Sequence, residues 1–304
     1  MKPLALFAFG ILFPATSSSQ GPQAPNQTAE EFEAKLGYQT GTVSIRGGLA
    51  TIHLPETFRF IGPEGSRRLL TEAWNNPKGA ADGVLGMLIP TGLSPLSREG
   101  WGIVITYDED GYVDDKGAST IDYDKLLKEL QQGASEASKE RVRQGYQPIA
   151  VVGWAEPPSY DSVAHKLYWA KEIAFGDDSL HTLNYNIRIL GRRGVLVLNA
   201  VASMDVLPAV RTEAQSILAS VEFNEGHRYS DYLPGKDKAA KYGIIGLVAG
   251  VAAAKAGFFK LIWVAILGFK KLILVGLAAG AAALKRLAGR RKKEAPAPPV
   301  ASPR

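Results

Sequence analysis

Three groups of residues in this sequence are of types that do chemistry. The first is the acidic run from Tyr107 to Asp115, Tyr-Asp-Glu-Asp-Gly-Tyr-Val-Asp-Asp. Setting Asp108 and Asp110 at positions 3 and 5 of a calcium loop puts Gly111 correctly at position 6. Thr106 and Gly117 then occupy positions 1 and 12, where an Asp and a bidentate Glu are required. The run reads better as a strand-ending turn built on Asp-Gly. The second group is the four histidines, His53, His165, His181 and His227, which show no metal-ligand spacing and read as surface or edge residues. There is no cysteine, so disulfides, thiolate metal sites and cysteine nucleophiles are excluded. The sequence contains no Gly-x-Ser-x-Gly elbow, phosphate-binding loop or His-Glu-x-x-His helix. No metal or cofactor is expected, and the expectation is a non-enzyme.

The third group holds most promise. Aromatic and charged residues concentrate in Gly153-Trp154-Ala155-Glu156-Pro157-Pro158 and in Leu167-Tyr168-Trp169-Ala170-Lys171-Glu172. On strand alternation Lys171 shares a face with Leu167, Trp169, Ile173 and Phe175, and an inward lysine must pair or line a cavity. A symmetric turn over Gly176–Leu180 sets Tyr185 opposite it. A two-residue turn within Gly191-Arg192-Arg193-Gly194 sets Leu190 against Val195, Arg188 against Val197 and Asn186 against Asn199. His181, Leu183, Tyr185, Ile187 and Ile189 then share a core face, while Thr182, Asn184, Asn186 and Arg188 share a polar one that is solvated or part of a groove. Trp154, Glu156, Lys171, Tyr185, Asn186, Arg188 and Asn199 are thus the candidate ligand or partner surface. The plainer account is a lysine at a frayed or bulged position and an ordinary cross-strand asparagine pair.

These residues need a scaffold. Thr42–Ile45 and Ala50–Leu54 read as a hairpin turning at Arg46-Gly47-Gly48, and Phe58–Ile61 as a further strand. A helix is expected over Glu64–Trp74, strands over Gly83–Ile89 and Trp101–Tyr107, and a helix over Tyr123–Arg143 capped by Asp122. Four strands follow, Ile149–Glu156, His165–Phe175, Leu180–Leu190 and Val195–Ser203. A last helix, Ala209–Ser220, leads into Val221-Glu222-Phe223. Strands joined by short turns, with helices between groups of them, predict an α+β fold with an antiparallel sheet and packed helices.

Charge and hydropathy divide the chain. From Tyr242 onward there are eleven Lys/Arg and one acid, so residues 1–241 carry 24 basic and 29 acidic groups. The basic character belongs to the tail, and nucleic-acid binding by the folded part is not expected. Gly243–Leu284 contains no acid and only four charges, Lys255, Lys260, Lys270 and Lys271, and the cationic run 285–293 follows. As one helix it would extend about 63 Å, twice the hydrocarbon thickness of a bilayer. The lysines fall in one sector of that helix. Gly246, Gly250, Gly257 and Gly268 cluster on the opposite side, a pattern of snorkelling cations and close helix packing. At the N-terminus Lys2, the apolar Leu4–Phe13 and the small residues 15–18 read as a signal peptide. The expected organisation is a signal peptide over 1–18, a linker over 19–30, a periplasmic domain over 31–235, a membrane anchor over 242–288 and a disordered tail over 289–304. A cleaved signal and a cytoplasmic cationic cluster together require an odd number of crossings.

Several long motifs carry a resemblance. Leu85–Pro90, the run Trp101–Val113, Gly153–Pro158, His165–Glu172, Leu183–Gly194 and Phe223–Tyr229 resemble a bacterial family of uncharacterised membrane-anchored proteins over about residues 35–290. The resemblance implies a Gram-negative envelope setting and export, and no catalytic residues. The strand–helix order is also similar, as fold analogy only, to exported sandwich domains of the PsbP type. The resulting expectation is an inner-membrane protein with a periplasmic domain that binds a protein partner or ligand, its C-terminus cytoplasmic and the lipid bilayer itself a partner. The alternatives are an envelope hydrolase and a structural subunit of an inner-membrane complex.

Overall fold

Thr28 opens the structure with a capping box: its hydroxyl accepts from the Glu31 amide while the Glu31 carboxylate accepts from the Thr28 amide. The computed structural model describes residues 28–250, apart from 77, 98, 144 and 146. The chain divides into two units, Met1–Ala254 and Lys255–Arg304, and everything below concerns the first. After α1 (Ala29–Ala34) come β1 (Tyr38–Gln39), β2 (Thr42–Ile45), β3 (Ala50–His53), β4 (Phe58–Ile61) and α2 (Pro63–Arg68). Next are β5 (Gly86–Pro90), β6 (Ile103–Asp108), α3 (Tyr123–Arg143), β7 (Ile149–Asp161), β8 (Lys166–Phe175) and β9 (Thr182–Leu190). Last are β10 (Val195–Ser203), α4 (Leu207–Ser220), β11 (Val221–Phe223) and α5 (Ile244–Ala249).

The strands form an eight-stranded antiparallel sheet in the order β1-β4-β5-β6-β10-β9-β8-β7 and a three-stranded one in the order β11-β3-β2. The class is mixed α/β, a large antiparallel sheet with helices. Alternation decides what each face of the large sheet buries. Leu196, Leu198 and Ala200 of β10 and Leu183, Tyr185 and Ile187 of β9 join one core with Ile52 of the small sheet and Ile217 of α4. On the opposite face Leu167, Trp169, Val195 and Val197 meet Leu126 of α3 and Ile244, Leu247 and Val248 of α5. A third cluster on that face, around Ile61, Leu69, Met87 and Val104, packs under the α2 region. Both faces are covered, so β6, β9 and β10 read as nearly continuous buried runs.

The β9–β10 hairpin forms in the expected register, with Leu190 against Val195 and Asn186 against Asn199. Its closure leaves no room at Gly194: a Cβ there would lie 2.1 Å from the Asp108 carbonyl oxygen. Gly194→Ala must therefore push β6 and β10 apart and is expected to cost about 1–3 kcal/mol in a denaturant titration; an unchanged midpoint would show that the strand end yields freely.

The β8–β9 register differs from expectation. Lys171 faces Asn184, and Tyr185 faces Ala170. The connection after Phe175 is asymmetric, and a slip of one residue moves a side chain to the other face of the sheet. Tyr185 therefore belongs to the core under α4, not beside Lys171.

The β2–β3 hairpin forms as read, and the pairing of β11 with β3, β7 beyond Glu156, and α5 extend the fold past the sequence reading. Residues 242–249, expected at the start of a membrane anchor, are part of the folded body: Ile244, Leu247 and Val248 are buried there. Gly246 lies within α5, and Gly250, with φ of 80°, ends it. A continuous helix from Gly243 is thus interrupted at Gly250. No helix among the described residues is long and apolar enough to cross a membrane. Lys255, Lys260, Lys270, Lys271, Gly257 and Gly268, with the signal-peptide assignment, lie outside the described residues.

Candidate functional site

The seven candidate residues separate by face. Glu156 and Tyr185 lie on the α4 side. The Arg211 Nε of α4 reaches Glu156 at 3.3 Å, tying α4 to β7. The Tyr185 hydroxyl is buried without a hydrogen bond of good geometry. Burial first, and then the Glu156 carboxylate nearby, hold that phenol well above its ordinary pKa.

Lys171, Asn186, Arg188 and Asn199 come together on the other face. Cross-strand pairing builds the patch in rows. Trp154, Lys171 and Asn184 form one, Trp169, Asn186 and Asn199 the next, and Leu167, Arg188 and Val197 the third. Trp154 spends its indole N–H on the Tyr123 carbonyl, 3.2 Å away, and so anchors the start of α3 at the edge of the patch.

Arg188 governs this face. It is 3% exposed, with its guanidinium carbon 5.0 Å from the centre of the Trp169 ring. Nη1 donates to the Ile187 carbonyl at 2.9 Å and to Asn199 Oδ1 at 3.1 Å, while Nη2 donates to Asn186 Oδ1 at 3.4 Å. A guanidinium only donates, so both amides must turn their oxygens toward it. Asn186 then has only its NH2 left to give. That group donates to the Asn184 carbonyl at 2.9 Å and to Asn184 Oδ1 at 3.0 Å. Asn184 is oriented in turn, with its oxygen toward Asn186 and its NH2 as the end not held by that bond. One buried cation thus sets the orientation of three neutral amides in turn.

The charges do not balance. Asp108, 7% exposed at the end of β6, is the carboxylate that Arg188 feels. Burial pushes Asp108 up to about 6 against the pull of Arg188, and burial lowers Arg188 to about 10. Lys171 is partly exposed and surrounded by protein; burial, then repulsion from Arg188, lowers it to about 8. No carboxylate among the described residues pairs with it. Trp169, 1% exposed, keeps a buried indole N–H with no acceptor among the described residues. A buried donor without a partner costs about 1–3 kcal/mol, so this cluster runs against stability.

A second cluster was not legible in the sequence. His165 Nδ1 lies 3.3 Å from Asp115 Oδ2, which also accepts from the Tyr160 hydroxyl at 2.6 Å. His165 stacks on Tyr229, Tyr229 on Tyr112 and Tyr112 on Tyr232, with ring centres 4.0, 4.4 and 3.8 Å apart. Burial raises the Asp115 pKa, but the Tyr160 and Tyr229 hydroxyls and then His165 outweigh it and leave the group lowered. The column ties residues 229–232 to the acidic run and reads as structural cement. His181 pairs with Glu172 in the same manner. No group of three potential metal ligands occurs among the described residues. A groove of about 650 Å³ between α3 and β7, lined by Val142, Ile149, Val151 and Ala174, holds none of this chemistry.

A protein-family model described as "Protein of unknown function (DUF2167)" matches residues 37–281. No curated protein matches the chain. Among solved structures, the chain is similar to the solution structure of cyanobacterial PsbP (CyanoP) from Synechocystis sp. PCC 6803, at 12% identity and a TM-score of 0.35, over 68% of this chain and 98% of that one. It is similar to the Ran-binding protein Mog1p of Saccharomyces cerevisiae at 12% identity and 0.30, over 65% and 100%. It is similar to LpqN, involved in cell envelope biogenesis of Mycobacterium tuberculosis, at 18% identity and 0.29, over 66% and 99%. At these values the likenesses carry no functional argument.

Proposed function

We propose, for a chain that belongs to the family of proteins of unknown function described as DUF2167, a role as an exported binding module held at the bacterial inner membrane. Its folded domain faces the periplasm and engages a ligand or protein partner; it is not an enzyme in this reading. The observation that carries binding is the donor ladder of Arg188, Asn186 and Asn184 beside an unpaired Lys171. The ladder spends the Arg188 and Asn186 donors within the fold, and the donors left over on this face, the Lys171 ammonium and the Trp169 indole N–H, are what recognition of an acceptor requires. The competing hydrolase reading draws on the Asp115–His165 pair. The tyrosine column built around that pair gives it a structural use instead.

Placement at the membrane is supported by the lysine-spaced apolar stretch that continues beyond Gly250 and ends in the cationic run 285–293. A basic cluster held in the cytoplasm and a domain exported by the N-terminal signal imply one net crossing. Ser302→Cys is accordingly expected to resist a membrane-impermeant maleimide in cells whose outer membrane alone is permeable. It should react once the inner membrane is opened. Labelling before that step would reverse the proposed orientation.

A further inference from the structure

Arg188 sets the sense of every amide near it, so the chemistry that Lys171, Asn184 and Trp169 can share is one-signed. We infer that this face of the sheet is a binding site for an oxyanion, a phosphate or carboxylate group. In it the Lys171 ammonium neutralises charge, and the Trp169 indole N–H and the NH2 of Asn184 donate hydrogen bonds to its oxygens. The inference rests on the binding role proposed above and names its ligand class.

The groups stand in adjacent rows of the sheet. Lys171 is directly opposite Asn184, and Trp169, two residues before Lys171 on the same face, is directly opposite Asn186. All are donors. Among the described residues the Trp169 N–H is buried with no acceptor and Lys171 has no carboxylate beside it. Among the described residues Arg188 acts on Lys171, the carboxylate of Asp108 on Arg188, and that of Asp110 on Asp108. A neutral ligand would leave Lys171 unneutralised, and a cation would meet the two positive charges of Lys171 and Arg188. An oxyanion satisfies the ammonium and the indole together, in surroundings where charge-assisted hydrogen bonds are strong. Binding also raises the affinity of Lys171 for its proton, so occupancy and protonation are linked.

Two sources supply such a group, a free anion and the headgroup of an anionic lipid. The test uses the full chain in non-ionic detergent, labelled with nitrogen-15 on tryptophan, the Trp169 signal being assigned by its loss in Trp169→Phe. Inorganic phosphate and acetate are titrated against chloride at constant ionic strength, and phosphatidylglycerol is added as vesicles in a parallel series on protein reconstituted in neutral lipid. The Trp169 indole signal is expected to move saturably with at least one of the three. Lys171→Met is expected to weaken that response on the order of tenfold or more, while Lys171→Arg retains part of it. A response to phosphatidylglycerol alone assigns the lipid as source, and a response to phosphate or acetate assigns a free anion. An indole signal indifferent to all three, or a Lys171→Met protein that responds like the native one, overturns the site. The maleimide test on Ser302→Cys reports separately on envelope placement, so each idea can fail without the other.

Discussion

Replacing Arg188 with methionine is expected to destabilise the folded domain by about 3–5 kcal/mol, read as the shift in a denaturant midpoint at neutral pH. Methionine keeps an apolar stem of similar length and removes the guanidinium that lies over the Trp169 ring, so the loss reports the polar head. Three acceptors lose their donor, the Ile187 carbonyl, Asn186 Oδ1 and Asn199 Oδ1. Asp108 also loses the one charge that opposes its burial. The sign of the pH dependence follows from Asp108. Its folded pKa, about 6, stands above the unfolded carboxylate value of 3.8. Its favourable contribution is complete below the unfolded pKa and is lost as pH rises through the folded one. Without Arg188 that folded pKa rises further. The Asp108 part of the Arg188→Met deficit should therefore be largest above that raised pKa, shrink as pH falls toward about 6, and be absent below it. Adding Asp108→Asn should recover part of it at pH 7. A deficit under about 1 kcal/mol, or one independent of pH, would show that the guanidinium is hydrated rather than built into the sheet.

Lys171→Met is expected to do the reverse and stabilise the protein by about 1–3 kcal/mol at pH 7, a range reduced for the partial exposure of the side chain. Lysine at this position has a folded pKa of about 8 against 10.5 in the unfolded chain. Between those values the unfolded chain holds the proton more tightly, so native stability rises with pH. Below about 8 the penalty for the buried ammonium is present in full. The advantage of methionine should accordingly be constant through neutral pH and fade between about 8 and 10.5. A residue that lowers stability where it stands is expected at a site kept for binding. If Lys171→Met leaves the thermal midpoint unchanged or lowers it, the ammonium is already satisfied within the fold.

How far these effects were legible in the sequence depends on distance along the chain. The turn at Gly191–Gly194 is closed by two residues and flanked by alternating strands, so the pairing of Asn186 with Asn199 could be read directly and is formed. The β8–β9 connection offers no such symmetric turn. One residue of error placed Tyr185 beside Lys171 when the true neighbour is Asn184. That slip concealed the ladder, because Asn184 is the residue through which Arg188 reaches Lys171's row. The polar face of β9 read as solvated or grooved, yet Asn186 and Arg188 are 4% and 3% exposed. Hydropathy cannot report that a polar strand face will be covered by α3 and α5, which come from distant parts of the chain. For the same reason Asp115 and His165, fifty residues apart, carried no local signal. The insertion of β10 between β6 and β9 is likewise a non-local choice. The acidic run is the opposite case. The strand end at Asp-Gly could be read from residue types alone, and the strand does end at Asp108.

The most direct measurement is the titration of the Lys171 side-chain nitrogen by NMR, on the full chain in non-ionic detergent with neither phosphate nor carboxylate present, using Lys171→Arg to assign the signal. The account predicts a midpoint near 8 that moves upward when an oxyanion binds. A midpoint at the ordinary lysine value, unmoved by any anion, would contradict it, since the ammonium would then be standing in water.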